Sequence, residues 1–155
     1  MIETIRDVLE HLCEQVVLVG NPHGLRGHAV VEDEYPDSGP LAGIEALLRS
    51  GIAARYLVVP CDMPTVPPGA LRRLMDAKEG GVVHFDAQPL PCLVEASHAS
   101  KTTQLLEQGV RALRAWQEAI EAHQIDPEGV RFEDADTPEE FLTLWRQFVD
   151  HDPRK

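Results

Sequence analysis

The chain has 155 residues and a formal charge of −12, from 14 Lys+Arg against 26 Asp+Glu with His counted as neutral. Such an acid excess argues against nucleic acid and anionic membrane surfaces as partners, because phosphate-rich surfaces need a basic stripe. At 43% hydrophobic and 26% charged residues the composition is that of a folded protein, and the length suits one domain, 1–155, with one core. No apolar run approaches the roughly 20 residues of a membrane span. The start, Met1-Ile2-Glu3-Thr4, has neither the basic residues nor the apolar stretch of a signal peptide, so a cytoplasmic protein is expected. Cys13, Cys61 and Cys92 lie far apart, form no C-x-x-C pair, and have no His at zinc spacing; they are read as reduced thiols.

Ile2, Ile5, Val8, Leu9, Leu12 and Cys13 recur at three and four, which predicts a helix. Val16 to Val19 is a short apolar run closed by Gly20 and reads as a buried strand. The loop Asn21-Pro22-His23-Gly24 follows, then a β-rich stretch from His28 to Glu32. Asp33 to Gly39 is turn chemistry. Pro40 then opens a helix whose stripe of Leu41, Ile44, Leu47 and Leu48 runs until Gly51. Arg55 to Val59 is the next strand, and Pro60 breaks it. A helix from about Pro68 to Lys78 and strands at Val82 to Phe85 and Cys92 to Glu95 come next. Two helices, Thr102 to Gln108 and Val110 to Ala122, are parted by Gly109, and a last strand is expected at Val130 to Glu133. Thr137-Pro138-Glu139-Glu140 is a capping box ahead of Phe141, Leu142, Leu144, Trp145 and Phe148, so a helix starts there. Alternating strands and helices predict an α/β, mostly parallel, Rossmann-like sheet flanked by helices, with ligands at the carboxyl ends of its strands.

Asp33, Asp62 and Asp136 each sit just past a predicted strand and so share one rim. Asp62, between Pro60-Cys61 and Met63-Pro64, either caps a turn or holds Mg²⁺, which prefers oxygen ligands and uses one or two carboxylates beside phosphate oxygens. Asp136 either favours the following helix N-terminus by its charge or supplies a second carboxylate. Gly39, Pro40 and Leu41 open a helix whose backbone N–H groups either serve as plain punctuation or face a phosphate or base edge. Arg111 and Arg114, three apart, are either a solvated helix face or a fork for a phosphate. No Ser/His/Asp order, Walker loop, G-x-S-x-G or H-E-x-x-H occurs.

The order of blocks is more specific than any one of them. V-V-L-V-G-N-P, V-V-E-D, G-P-L-A-G-I, Y-L-V-V-P-C-D-M-P-T-V-P, Q-P-L-P-C-L, L-L-E-Q-G-V-R-A-L-R-A-W and D-A-D-T-P-E-E-F follow one another between Ile5 and Trp145. In that order the chain resembles the molybdenum cofactor guanylyltransferases, the MobA-like nucleotidyltransferases. The resemblance implies a glycosyltransferase-A-like fold and transfer of GMP from GTP to the terminal phosphate of molybdopterin, with Mg²⁺ required and pyrophosphate released. By position, Asp62 resembles the family's metal and nucleotide ligand, and Asp136 stands where the family usually has Asn. Asp33 matches an acidic position at the nucleotide, and Asn21 lies in the loop that meets the base. Arg111 and Arg114 fall on the pterin-phosphate side, and Val19 replaces a more upstream Asn of the family.

Such enzymes need no general base. A phosphate monoester is already ionised near neutral pH, so catalysis is alignment and charge neutralisation. The sequence departs from the family at its front, where a first strand and a glycine-rich loop of the type L-A-G-G-x-S-x-R-M-G-x-D-K are expected; this reading leaves a unit of roughly 30 residues missing. The implied consequence is a slot between Val16–Val19 and Tyr56–Val59, open to self-association. Two other functions fit the same residues: a non-catalytic molybdopterin- or partner-binding protein of this fold, and a related enzyme using another NTP.

Overall fold

The computed structural model describes residues 2–20, 29–35, 38–63 and 65–150. Asn21 and the rest of its loop lie outside the described residues, so the expected base contact does too. The first helix, α1 (Ile2–Glu10), is amphipathic and lays Val8 and Leu9 against Met63, Val66 and Leu71. It ends short of Cys13, which still closes one more turn by donating its N–H to Leu9 O at 2.8 Å.

Strands β1 (Leu18–Val19) and β2 (Val30–Val31) form a two-stranded parallel sheet, Leu18 opposite Val30. Helix α2 (Pro40–Arg49) follows. Gly39 precedes it at φ +73°, a conformation that glycine adopts without strain, and Pro40 occupies the first turn. The buried side chains of α2 include Leu41, Ile44, Leu47 and Leu48, which join Tyr56 in one core, with Val17, Val31 and Val58 packed against it. A Cβ on Gly43 would stand 3.0 Å from Val19 Cγ1, so glycine is what lets β1 lie close on α2.

The second sheet contains β3 (Arg55–Val58), β4 (Val82–Phe85), β5 (Gln88–Glu95) and β6 (His123–Ile125), in the order β3-β5-β4-β6. Its directions are mixed where a mostly parallel sheet is expected: β5 runs antiparallel to β3 and β4, and β6 parallel to β4. The cause is local. Only Asp86 and Ala87 join β4 to β5, and so short a turn can make only an antiparallel pair. Strand β5 begins earlier than the predicted Cys92 and carries Pro89 and Pro91. Both prolines fall where the β4–β5 register shifts, between the Phe85–Gln88 and His84–Cys92 pairs, so no ladder bond is lost.

The two sheets stay separate among the described residues, and α2 packs on both. Burial follows the pairing. Central β4 is buried along its whole length, whereas Leu57, Val58 and Val59 are half-buried and Val19 is 39% exposed. The expectation of a buried strand at Val16–Val19 is corrected: the ladder covers only Leu18–Val19, at an edge.

Helices α3 (Pro68–Met75), α4 (Ala99–Glu107) and α5 (Leu113–Ala119) flank the sheet, α4 being entered through a 3₁₀ turn at Ala96–His98. Gly109, at φ +91°, ends α4 and lets Val110 N–H reach back to Leu105 O at 3.0 Å. Trp116 of α5 is fully buried, and its indole N–H donates to Thr102 Oγ1 at 3.1 Å.

The predicted strand at Val130–Glu133 does not form; the sheet is completed instead by the polar segment His123–Ile125. Val130 and Phe132 still pack inward, with the Phe132 ring centroid 5.0 Å from that of Phe85. The backbone just after them bonds to the loop after β3, through Glu133 N–H and Ala135 N–H, in place of a ladder partner. Helix α6 (Pro138–Asp150) begins at the expected capping box: Glu140 N–H donates to Thr137 Oγ1 at 3.2 Å, and Thr137 N–H to Glu140 Oε2 at 3.1 Å. Among the described residues no helix is long and apolar enough to cross a membrane.

Candidate functional site

Strand β3 ends at Val58 and releases Val59, Pro60 and Cys61 before Asp62, which is exposed. Two hydrogen bonds join this loop to the segment before α6. Ala135 N–H donates to Asp62 O at 2.8 Å, and Glu133 N–H donates to Thr65 Oγ1 at 3.2 Å. Ala135 is buried, and its neighbours Asp134 and Asp136 are exposed. The Ala135 hydrogen bond thus brings the D-A-D segment to the Asp62 loop without a preceding strand.

The electrostatics report the same convergence. The Asp134 carboxyl is held above the usual carboxylate range, first by desolvation and then by the negative charges of Asp62 and Asp136. Burial, and then Asp62, also pushes up the Cys61 thiol. Among the described residues no cation pairs with Asp62, Asp134 or Asp136, and no hydrogen bond reaches their carboxylates. The turn-capping role considered for Asp62 thus falls to its backbone carbonyl. The sequence signal for Asp134 is present in D-A-D, but only the fold brings its carboxyl under the charge of Asp62.

Such a donor set suits a hard cation. Among the described residues no group of three or more His, Cys, Asp or Glu is placed so that together they could hold a metal ion. Mg²⁺ does not need one, because it keeps several waters and binds through one or two carboxylates together with phosphate oxygens. Unneutralised acids on an exposed rim meet that requirement, and Asp62 with Asp136 or Asp134 would hold the ion. A hollow of about 230 Å³, lined in part by Thr65, Pro67, Val130, Arg131 and Glu133, runs along the same junction.

The other expected residues are placed elsewhere. Asp33 follows β2 by two residues, and its neighbour Glu34 is tied to Arg49 at the far end of α2. Gly39 and Pro40 are exposed, whereas Leu41 is fully buried, so at Leu41 only the backbone can face a ligand. Arg111 lies in the extended link before α5 and Arg114 within it, so the expected common helix face is not formed. Arg111 donates to Leu106 O at 2.6 Å and closes the end of α4; Arg114 donates to Ala87 O at 3.1 Å and braces the β4–β5 turn.

Comparison with known proteins gives a consistent picture. The family described as the MobA-like NTP transferase domain matches residues 1–124. A molybdenum cofactor guanylyltransferase from Xanthomonas euvesicatoria is 31% identical over 148 residues, which span 90% of this chain and 75% of that protein. Another, from Ralstonia nicotianae, is 36% identical over 107 residues, 58% of this chain and 52% of its own length. The chain thus spans about three quarters of the first relative and about half of the second. Among solved structures, molybdopterin-guanine dinucleotide biosynthesis protein A from Archaeoglobus fulgidus shares the fold with a TM-score of 0.61 at 21% identity, over 96% of this chain and 75% of that one.

Proposed function

The chain belongs to the MobA-like NTP transferase domain family, and from that premise we propose that it takes part in Mg²⁺-dependent transfer of GMP from GTP to the terminal phosphate of molybdopterin. The observation that carries this reading is the junction at Asp62, where Asp134 and Asp136 meet it across the Ala135 hydrogen bond. A chain of charge −12 repels a triphosphate, so a cation at this rim is what would let the nucleotide approach. Bound there, Mg²⁺ would supply charge neutralisation at the phosphates.

In this reading Asp62 and Asp136 hold the ion, Asp33 and the backbone at Gly39, Pro40 and Leu41 meet the nucleotide, and Asn21 meets the base. Arg111 and Arg114, each braced by carbonyls, present their remaining N–H groups to the acceptor phosphate. An oxygen of the molybdopterin phosphate attacks the α-phosphorus of GTP; a P–O bond forms there, the α–β bond breaks, and pyrophosphate leaves with the electron pair. The attacking oxygen is already ionised, so no side chain has to accept a proton. The unpaired edges of β1 and β3 are where a strand from a second copy would add.

Calorimetric titration of GTP with and without Mg²⁺ tests the reading. Mg²⁺-dependent binding that Asp62→Ala abolishes supports it, together with pyrophosphate release on adding molybdopterin. Absence of GTP binding, with CTP binding in its place, would move the protein to another nucleotide, and binding unaffected by Asp62→Ala would return Asp62 to a structural role.

A further inference from the structure

Glu45 projects from α2 into the contact with α4, and its side chain is 0% exposed. Its Oε1 accepts a hydrogen bond from Thr103 Oγ1 of α4 at 2.5 Å, and Oε2 has no partner among the described residues. A buried carboxylate is costly unless it is paired, and an apolar residue of like volume in its place would suit the leucines around it better. What Glu45 does hold is Arg49, one turn along α2, whose Nη1 stands 3.5 Å from Oε1. The same Nη1 donates to Glu34 Oε2 at 2.8 Å. Both carboxylates meet the same Nη1, and the chain links α4, α2 and the segment after β2 in series. Glu34 is next to Asp33, and Tyr35 packs on the core of α2, so an ion pair and an apolar contact both hold the segment.

We propose that Arg49 is a positioning residue: oriented by buried Glu45, it clamps Glu34 and so sets where the 32–35 segment delivers Asp33 to the nucleotide. The proposal rests on the reading above that Asp33 meets the nucleotide. It explains why a charge is kept at a position where stability alone favours a hydrocarbon.

Arg49→Met keeps the aliphatic stem and removes the charge; Glu34→Gln cuts the same link from its other end. In both variants the Ser38 amide, which donates to Tyr35 O at 3.2 Å, should exchange with solvent roughly three- to fivefold faster, the scale of a partly exposed ion pair, while those of Leu41 to Leu48 stay as in the wild type. Mg²⁺-GTP affinity, measured by calorimetry, should fall by a similar factor in each single variant and no further in the double variant, with Arg49→Lys intermediate. Unchanged exchange at Ser38 overturns the clamp. Faster exchange with unchanged affinity, where Asp33→Ala does weaken binding, overturns its role in positioning. A wild-type affinity that Asp33→Ala leaves intact, or no wild-type binding at all, overturns the underlying nucleotide reading instead.

Discussion

The backbone N–H of Ala135 donates to the carbonyl of Asp62 at 2.8 Å, and this single bond brings together two parts of the chain separated by more than seventy positions in sequence. On either side of Ala135 stand Asp134 and Asp136. If these acids serve Mg²⁺-nucleotide, Asp62→Asn should weaken Mg²⁺-dependent GTP binding by about tenfold or more, the scale of losing one charged ligand, and leave any Mg²⁺-independent binding unchanged. Isothermal titration in EDTA and in excess Mg²⁺ separates the two terms.

The same acids repel one another when no cation is present. Asp134→Asn should therefore raise the melting temperature in EDTA, because it relieves desolvation and the charges of Asp62 and Asp136 together. In the wild type, Mg²⁺ at tenfold its dissociation constant should stabilise by about 1.4 kcal/mol, and this increment should shrink in Asp62→Asn. Calorimetric scans with and without Mg²⁺ measure both effects; an equal increment in the variant would place the ion elsewhere.

Trp116 and Thr102 form a buried polar pair between α5 and α4, with Thr102 Oγ1 also donating to His98 O at 2.8 Å. Thr102→Val keeps the shape and strands the indole N–H, at a cost of about 1–3 kcal/mol. Thr102→Ser should recover the hydrogen-bonding part of that loss. Urea unfolding followed by tryptophan fluorescence provides the measurement.

Burial pushes the Cys92 thiol from an ordinary 9.0 up to about 12. The folded chain keeps this proton where the unfolded chain gives it up, so stability is full below pH 9 and declines as pH rises toward 12. Cys92→Ala should remove that alkaline slope while lowering stability at neutral pH through the cavity it leaves. In native protein, iodoacetamide should modify exposed Cys61 and spare Cys92, as mass spectrometry of the digested protein would record.

Thr137→Ala removes the acceptor for Glu140 N–H and should cost about 1 kcal/mol. Circular dichroism during urea unfolding measures the loss. Its effect on Mg²⁺-GTP binding is a separate question, since Asp136 N–H also donates to Glu140 Oε2 at 3.1 Å and would keep part of the cap.

The sequence by itself determined the features whose physics is short-range. Pro40 after Gly39 starts α2, the Thr137–Glu140 box starts α6, and Val82–Phe85 is a strand to the residue, because caps, proline geometry and apolar runs act within a few positions. The ordered blocks from V-V-L-V to D-A-D-T-P-E-E were enough to point to the family. Only the tertiary structure decided what depends on a partner in space. The apolar alternation of Val130 and Phe132 fits a strand, yet a strand also needs a neighbour with free N–H and C=O groups, and polar His123–Ile125 took that edge of β4. Arg111 and Arg114 have helical spacing, but only Arg114 lies in α5, and each is tied to a different carbonyl, of Leu106 and of Ala87. Asp134 comes under the charge of Asp62 for the same reason: the Ala135–Asp62 hydrogen bond joins two distant segments, and no local pattern records what lies across from them.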